Sequence, residues 1–169
     1  MRGRPGLLAA SLALGLSGCG APPAETRFLN FDPESTPREA LVSGWSGFES
    51  GGPGDTFVWA QGRKAAVEVQ ARKAGGRLVR FRCWPFRWEG APPQTLSLAV
   101  NGSRVETLGL SGEARVYSVA TPTEAWRPGK NVVTFEFAYA EAPKDRVPGQ
   151  ADARTLAAAF DWMEILPHP

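Results

Sequence analysis

The residues best able to do chemistry crowd into one run, Arg82-Cys83-Trp84-Pro85-Phe86-Arg87-Trp88-Glu89. Sugars are bound by stacking their apolar C–H faces on aromatic rings while planar donors and acceptors meet the hydroxyls, and this run supplies both chemistries. Arginine forks also grip carboxylates and sulfates, which suits an acidic glycan. Trp84, Arg87 and Trp88 are therefore the first candidate ligand contacts. The alternative is that these rings close one end of a core, with arginine stems lying over them. A second constellation, Gly44-Trp45-Ser46-Gly47-Phe48-Glu49 with Trp59, adds Trp45 as a ring and Glu49 as an acceptor for a hydroxyl or an arginine. In Asp152-Ala153-Arg154 two opposite charges project the same way from an extended segment, which suits a surface ion pair that holds the preceding loop.

Catalysis has little to work with. The one histidine, His168, is the penultimate residue, so Ser-His-Asp and Cys-His arrangements have no base. Glu49, Asp55, Glu89, Asp152, Asp161 and Glu164 are carboxylates that could flank a cleft, but no spacing singles out a glycosidase pair. Two cysteines and no dense run of oxygen ligands give a metal no site, and no cofactor is implied. The net charge of +2 is too small for nucleic acid binding. Without Arg2 and Arg4 the cations and the 17 anions balance.

These side chains must be positioned by strands. Val67 and Val69 alternate with Glu68 and Gln70; Val79, Phe81 and Cys83 alternate with Arg80 and Arg82; Leu96, Leu98 and Val100 follow the same period, as do Val133, Phe135, Phe137 and Tyr139. A period of two marks half-buried antiparallel strands. Asn101-Gly102 predicts a tight hairpin, and residues 51–54 and 128–131 predict further turns. The stretch 36–39 allows at most one helical turn. Residues 156–166 read as a closing strand around Phe160, Trp162 and Ile165, although their alanines alone would permit a short helix. Some eight to ten short strands predict an all-β fold, an antiparallel β-sandwich or barrel. Cys83 shares the alternation of Val79 and Phe81, which predicts a buried structural thiol.

Residues 6–16 are an apolar run behind two arginines, long enough for a signal-peptide core and too short to span a membrane. The following Leu16-Ser17-Gly18-Cys19 resembles the lipobox of bacterial lipoproteins. That resemblance implies a signal peptide over residues 1–18, acylation of Cys19, a lipidated tether over 19–27 and a β-sandwich domain over 28–169. It also implies a cell-envelope location with the membrane as a partner. Gly20 in place of Asp points to the outer membrane if the organism is Gram-negative.

The segment from Gly44 to Glu49, Phe57-Val58-Trp59-Ala60, Pro85-Phe86, the Val100-Asn101-Gly102 hairpin and Trp126-Arg127-Pro128-Gly129-Lys130-Asn131 stand in an order that resembles the galactose-binding-like jelly-roll domains of bacterial envelope sulfatases and glycan-assembly proteins. Related domains often carry Arg where Val58 stands, so a polar site there is altered in this chain. The resemblance implies a jelly-roll sandwich and carbohydrate binding as a common activity. The expectation is a lipid-anchored, non-catalytic module that binds a glycan or another envelope component. The alternative is a structural lipoprotein that docks onto an envelope protein complex without binding sugar.

Overall fold

A computed structural model describes residues 24–53 and 55–169. The expected lipobox and Cys19 lie outside them. Eleven strands follow in order: β1 (Phe28–Asn30), β2 (Leu41–Ser43), β3 (Trp45–Ser50), β4 (Thr56–Gln61), β5 (Lys64–Ala71), β6 (Arg77–Pro85), β7 (Gln94–Val100), β8 (Ser103–Leu110), β9 (Arg115–Thr121), β10 (Gly129–Phe137) and β11 (Leu156–Pro167). One short helix, α1 (Pro143–Arg146), sits between β10 and β11, and 3-10 turns cover Arg38–Ala40 and Thr123–Ala125. The first of these turns overlaps the stretch where one helical turn was expected.

The strands form two antiparallel sheets packed face to face. One has the order β3-β4-β11-β6-β9, with β1 added beside β11; the other has the order β2-β5-β10-β7-β8. The fold is a jelly-roll sandwich. Alternation decides what lies between the sheets. Val133 pairs with Val67 on one side and Val100 on the other, and Phe135 with Ala65 and Leu98, so whole apolar rows face inward. From the opposite sheet Val58, Val79, Phe81 and Phe160 complete the core, and Phe160 lies 4.8 Å from Phe135 and 5.7 Å from Phe81 between ring centroids. Cys83 is fully buried there, and burial drives its thiol pKa well above the ordinary value.

The turn chemistry matches the residues. Asn101 and Gly102 both take positive φ, 50° and 85°, as a two-residue hairpin requires. Gly44 has φ 74°, and a Cβ there would lie 2.1 Å from the Lys64 carbonyl oxygen, so the chain can turn into β3 only with glycine.

Residues 156–159 are buried on both sides although they belong to a strand at a sheet surface. The alanines are small enough for a second aromatic layer to lie over the outer face. Ala159 pairs with Trp59 and Trp84 across β4 and β6, and Phe57, Trp84 and Ala159 form a separate apolar cluster outside the main core. The helix that alanine content permits gives way to a strand because burial outweighs propensity.

Candidate functional site

Beyond Pro85 the chain leaves β6 and enters the 86–93 loop at one end of the sandwich. The Phe86 amide still donates to the Ala157 carbonyl at 3.0 Å, which ties the start of the loop to β11. Four rings continue from there. Trp59 and Phe86 lie 6.3 Å apart between centroids, Phe86 and Trp88 5.7 Å, and Trp88 and Tyr139 5.2 Å at an interplanar angle of 74°. Tyr139 is fixed from two sides. Its hydroxyl donates to the Phe86 carbonyl at 2.9 Å, and buried Gln94 donates to its carbonyl at 2.8 Å while accepting from its amide at 3.2 Å. Burial raises the Tyr139 hydroxyl pKa, with the nearby Arg87 charge working the other way.

Trp88 is partly exposed and opens onto a cleft of about 510 Å³ lined by Arg87, Trp88, Glu89, Arg146, Val147 and Pro148. The Arg146 guanidinium lies 5.2 Å above the Trp88 ring centroid. It is paired with both oxygens of Glu141, at 3.2 Å from Nε and 3.0 Å from Nη2, and that hydrogen bond raises its pKa. Arg87 is exposed and passes over the β8–β9 turn, where a Cβ on Gly112 would lie 2.6 Å from its Nη1. A partly exposed indole, two guanidiniums and a carboxylate around one cleft can stack an apolar sugar face and bind hydroxyls or an anion at its rim.

The other expected contacts are placed differently. Trp45 is only 7% exposed, sits in the main core 5.3 Å from Phe160, and donates its indole N–H to the Ala66 carbonyl at 2.8 Å. It faces inward because β3 turns that side of its alternation to the opposite sheet, so it offers a ligand nothing. Trp84 points to the outer face but is 9% exposed. Phe57 packs on it at 5.4 Å, and the β3–β4 loop lies over both rings so closely that a Cβ on Gly52 would be 2.8 Å from Phe57 and 3.2 Å from Trp84. Arg82 holds that loop by donating to the Pro53 carbonyl at 3.0 Å while pairing with Asp161. Trp84 is a packing residue.

Glu49 is taken up by Arg154, with Nη1 at 2.5 Å and Nη2 at 3.4 Å from its two oxygens. Arg154 also grips Asp152, at 3.0 Å from Nε to Oδ1 and 2.6 Å from Nη2 to Oδ2. The Arg154 hydrogen bond holds the Asp152 carboxyl below its usual range, and both carboxylates raise the Arg154 pKa. This latch joins the segment before β11 to β3, as a loop-holding ion pair should. Among the described residues no group of three His, Cys, Asp or Glu could hold a metal ion, and no helix is long and apolar enough to cross a membrane.

Of the five expected ligand contacts, the cleft brings together Arg87 and Trp88. Tyr139, Glu141, Arg146, Val147 and Pro148 escaped the sequence reading. They lie in the β10–β11 connection, which includes α1, is rich in proline and charge and carries no aromatic run. The one available signal was Tyr139, which continues the β10 alternation past the end of the strand.

No protein-family model matches the chain, and no curated protein matches it. Solved structures share its fold. A family 35 carbohydrate binding module from Clostridium thermocellum superposes with a TM-score of 0.52 at 11% identity, covering 82% of this chain and 97% of that one. A GH115 4-O-methyl-α-glucuronidase with specificity for decorated arabinogalactans gives a TM-score of 0.55 at 8% identity over 88% of this chain, which corresponds to 18% of the enzyme. An exo-β-1,3-galactanase from Phanerochaete chrysosporium, solved with β-1,3-galactotriose, gives 0.50 at 17% identity over 84% of this chain and 29% of that one.

Proposed function

We propose that this chain is a non-catalytic carbohydrate-binding module held in the cell envelope by a lipid on Cys19. The single observation that carries the binding reading is the cleft at Trp88, where a partly exposed indole flanked by Phe86 and Tyr139 stands among Arg87, Glu89 and Arg146. Loops on a rigid sandwich commonly carry binding, and this loop is fixed by hydrogen bonds to β11 and to Tyr139 just beyond β10. The fold is that of a protein named as a carbohydrate binding module, which supports the same reading. Two guanidiniums and a carboxylate offer no acid–base pair set across a scissile bond, so the module binds and does not cleave.

A glycan array probed with the full chain tests this reading. The expected result is binding to one group of oligosaccharides that Trp88→Ala reduces at least tenfold, on the scale of a lost aromatic anchor. Full retention of binding by that variant removes the cleft from the reading. For the anchor, Cys19→Ser is expected to release the protein from membranes or leave it unprocessed. A processed, acyl-free variant that stays on membranes would overturn it.

The docking alternative has one observation of its own. Phe28 is 54% exposed, 6.0 Å from Trp162 on the outer sheet face, with exposed Val116 on the same side. Such a patch suits a protein partner better than a sugar. Phe28→Ser that releases an envelope complex, with no glycan bound by the parent protein, would favour it.

A further inference from the structure

A sugar that stacks on Trp88 needs an open ring face, and three side chains crowd the ring. Phe86 is tilted 36° against the ring at 5.7 Å, and Tyr139 meets it edge-on at 5.2 Å. Arg146 lies over it at 5.2 Å. A cation over an indole is held by the same electron-rich face that attracts the C–H bonds of a sugar. A neutral sugar that stacks on the face Arg146 covers must therefore displace a cation and replaces none of its charge interactions.

Arg146 is well placed to move. Its partner Glu141 is a solvent-exposed one, with side chains 43% and 32% accessible, and such pairs are weak. Arg146 ends α1, a single turn bounded by Pro143 and followed by Val147 and Pro148 in the cleft wall. Arg87, the second guanidinium of the cleft, has no carboxylate within ion-pair distance among the described residues. The lining holds two cations, Arg87 and Arg146, against one anion, Glu89.

We infer that Arg146 is a charge-selective cover on Trp88, so that the cleft takes glycans bearing a carboxylate or a sulfate in preference to neutral ones. An anionic group on the sugar replaces Glu141 in the Arg146 fork as the guanidinium swings off the ring, and the sugar ring then occupies the freed face with Arg87 at its rim. A forked guanidinium meets two oxygens of either anion in parallel hydrogen bonds, so recognition follows the anion and not the sugar that carries it. This rests on the reading of the Trp88 cleft as a carbohydrate site.

The test is titration calorimetry of the full chain with galacturonate oligosaccharides and sulfated galactan oligosaccharides, each beside its carboxyl-reduced or desulfated counterpart. The acidic forms are expected to bind roughly tenfold tighter or more than the matched neutral ones, and less tightly as salt rises. Arg146→Gln is expected to erase that ratio, by weakening the acidic ligands and leaving the neutral ones equal or tighter because the ring is uncovered. Glu141→Gln is expected to tighten the acidic ligands. Which pair shows the ratio tells carboxylate from sulfate. An unchanged acidic-to-neutral ratio in Arg146→Gln, with binding still lost in Trp88→Ala, overturns the cover and spares the carbohydrate site. No binding of any oligosaccharide by the parent protein overturns both.

Discussion

Trp84 and Trp88 stand on one short stretch of chain, one facing a sheet and the other a cleft. Trp84 lies on alanine, under Phe57, with a glycine-bearing loop pressed over it and Arg82 fastening that loop from the side. Trp88 is flanked by two rings, has Arg146 over it, and borders open volume that Arg87 also lines. The two surroundings are of different kinds. An aromatic ring roofed by glycine and floored by alanine is a packing layer, because small residues bring backbone and ring into contact on both sides. An aromatic ring flanked by two others and covered by a solvent-exposed charge is, on the proposed reading, a seat for something that can take the place of that charge.

The comparison breaks most easily at Trp84. Trp84→Ala empties a closed layer and is expected to cost about 3–5 kcal/mol, a fall of roughly 10 °C or more in Tm by calorimetry. Trp88→Ala is expected to cost about 1 kcal/mol, since its ring is already partly wetted and its loop is tied down by backbone hydrogen bonds. If the two variants lose equal stability, the division between layer and seat is wrong.

The smallest effect concerns the latch that joins the segment before β11 to β3. The Asp152 carboxyl is held below its ordinary value of 3.8 by Arg154, so its contribution is present above that value and is lost as pH falls through the lowered one. Solvent screens this partly exposed pair, and the contribution is at most about 1 kcal/mol. Denaturant unfolding from pH 5 to pH 2 is expected to show a steeper loss for the parent than for Asp152→Asn. Parallel curves for the two proteins would detach Asp152 from the acid response.

Much of the sandwich was legible because alternation and turn chemistry are local. The rows around Val67, Phe81, Leu98 and Phe135 face inward as their period requires, and Asn101-Gly102 turns where its left-handed preference places it. Two of the eleven strands among the described residues, β1 and β2, span only three residues, too short to show any period. The site was legible only in part because its partners are remote in sequence. Nothing near Trp84 announces that Gly52 lies over it, and nothing near Trp88 announces Tyr139 and Arg146. Trp45 fits the same pattern. Its motif reads as an exposed ring with an acidic partner, yet the ring is closed in by the facing sheet and the acid is claimed by a residue from the other end of the chain.

The long strand β11 measures the distance between two ends of the molecule. Near its start Ala157 accepts from Phe86 at the foot of the cleft loop, and near its end Ile165 donates to Arg27, where the chain enters from its N-terminal side. About 26 Å of extended strand separates those two points. The stretch from Cys19 to Phe28 reaches at most about 30 Å when fully drawn out. Under the proposed anchoring at Cys19, these two lengths together set how far the Trp88 cleft stands from the lipid, like a hook on a short line.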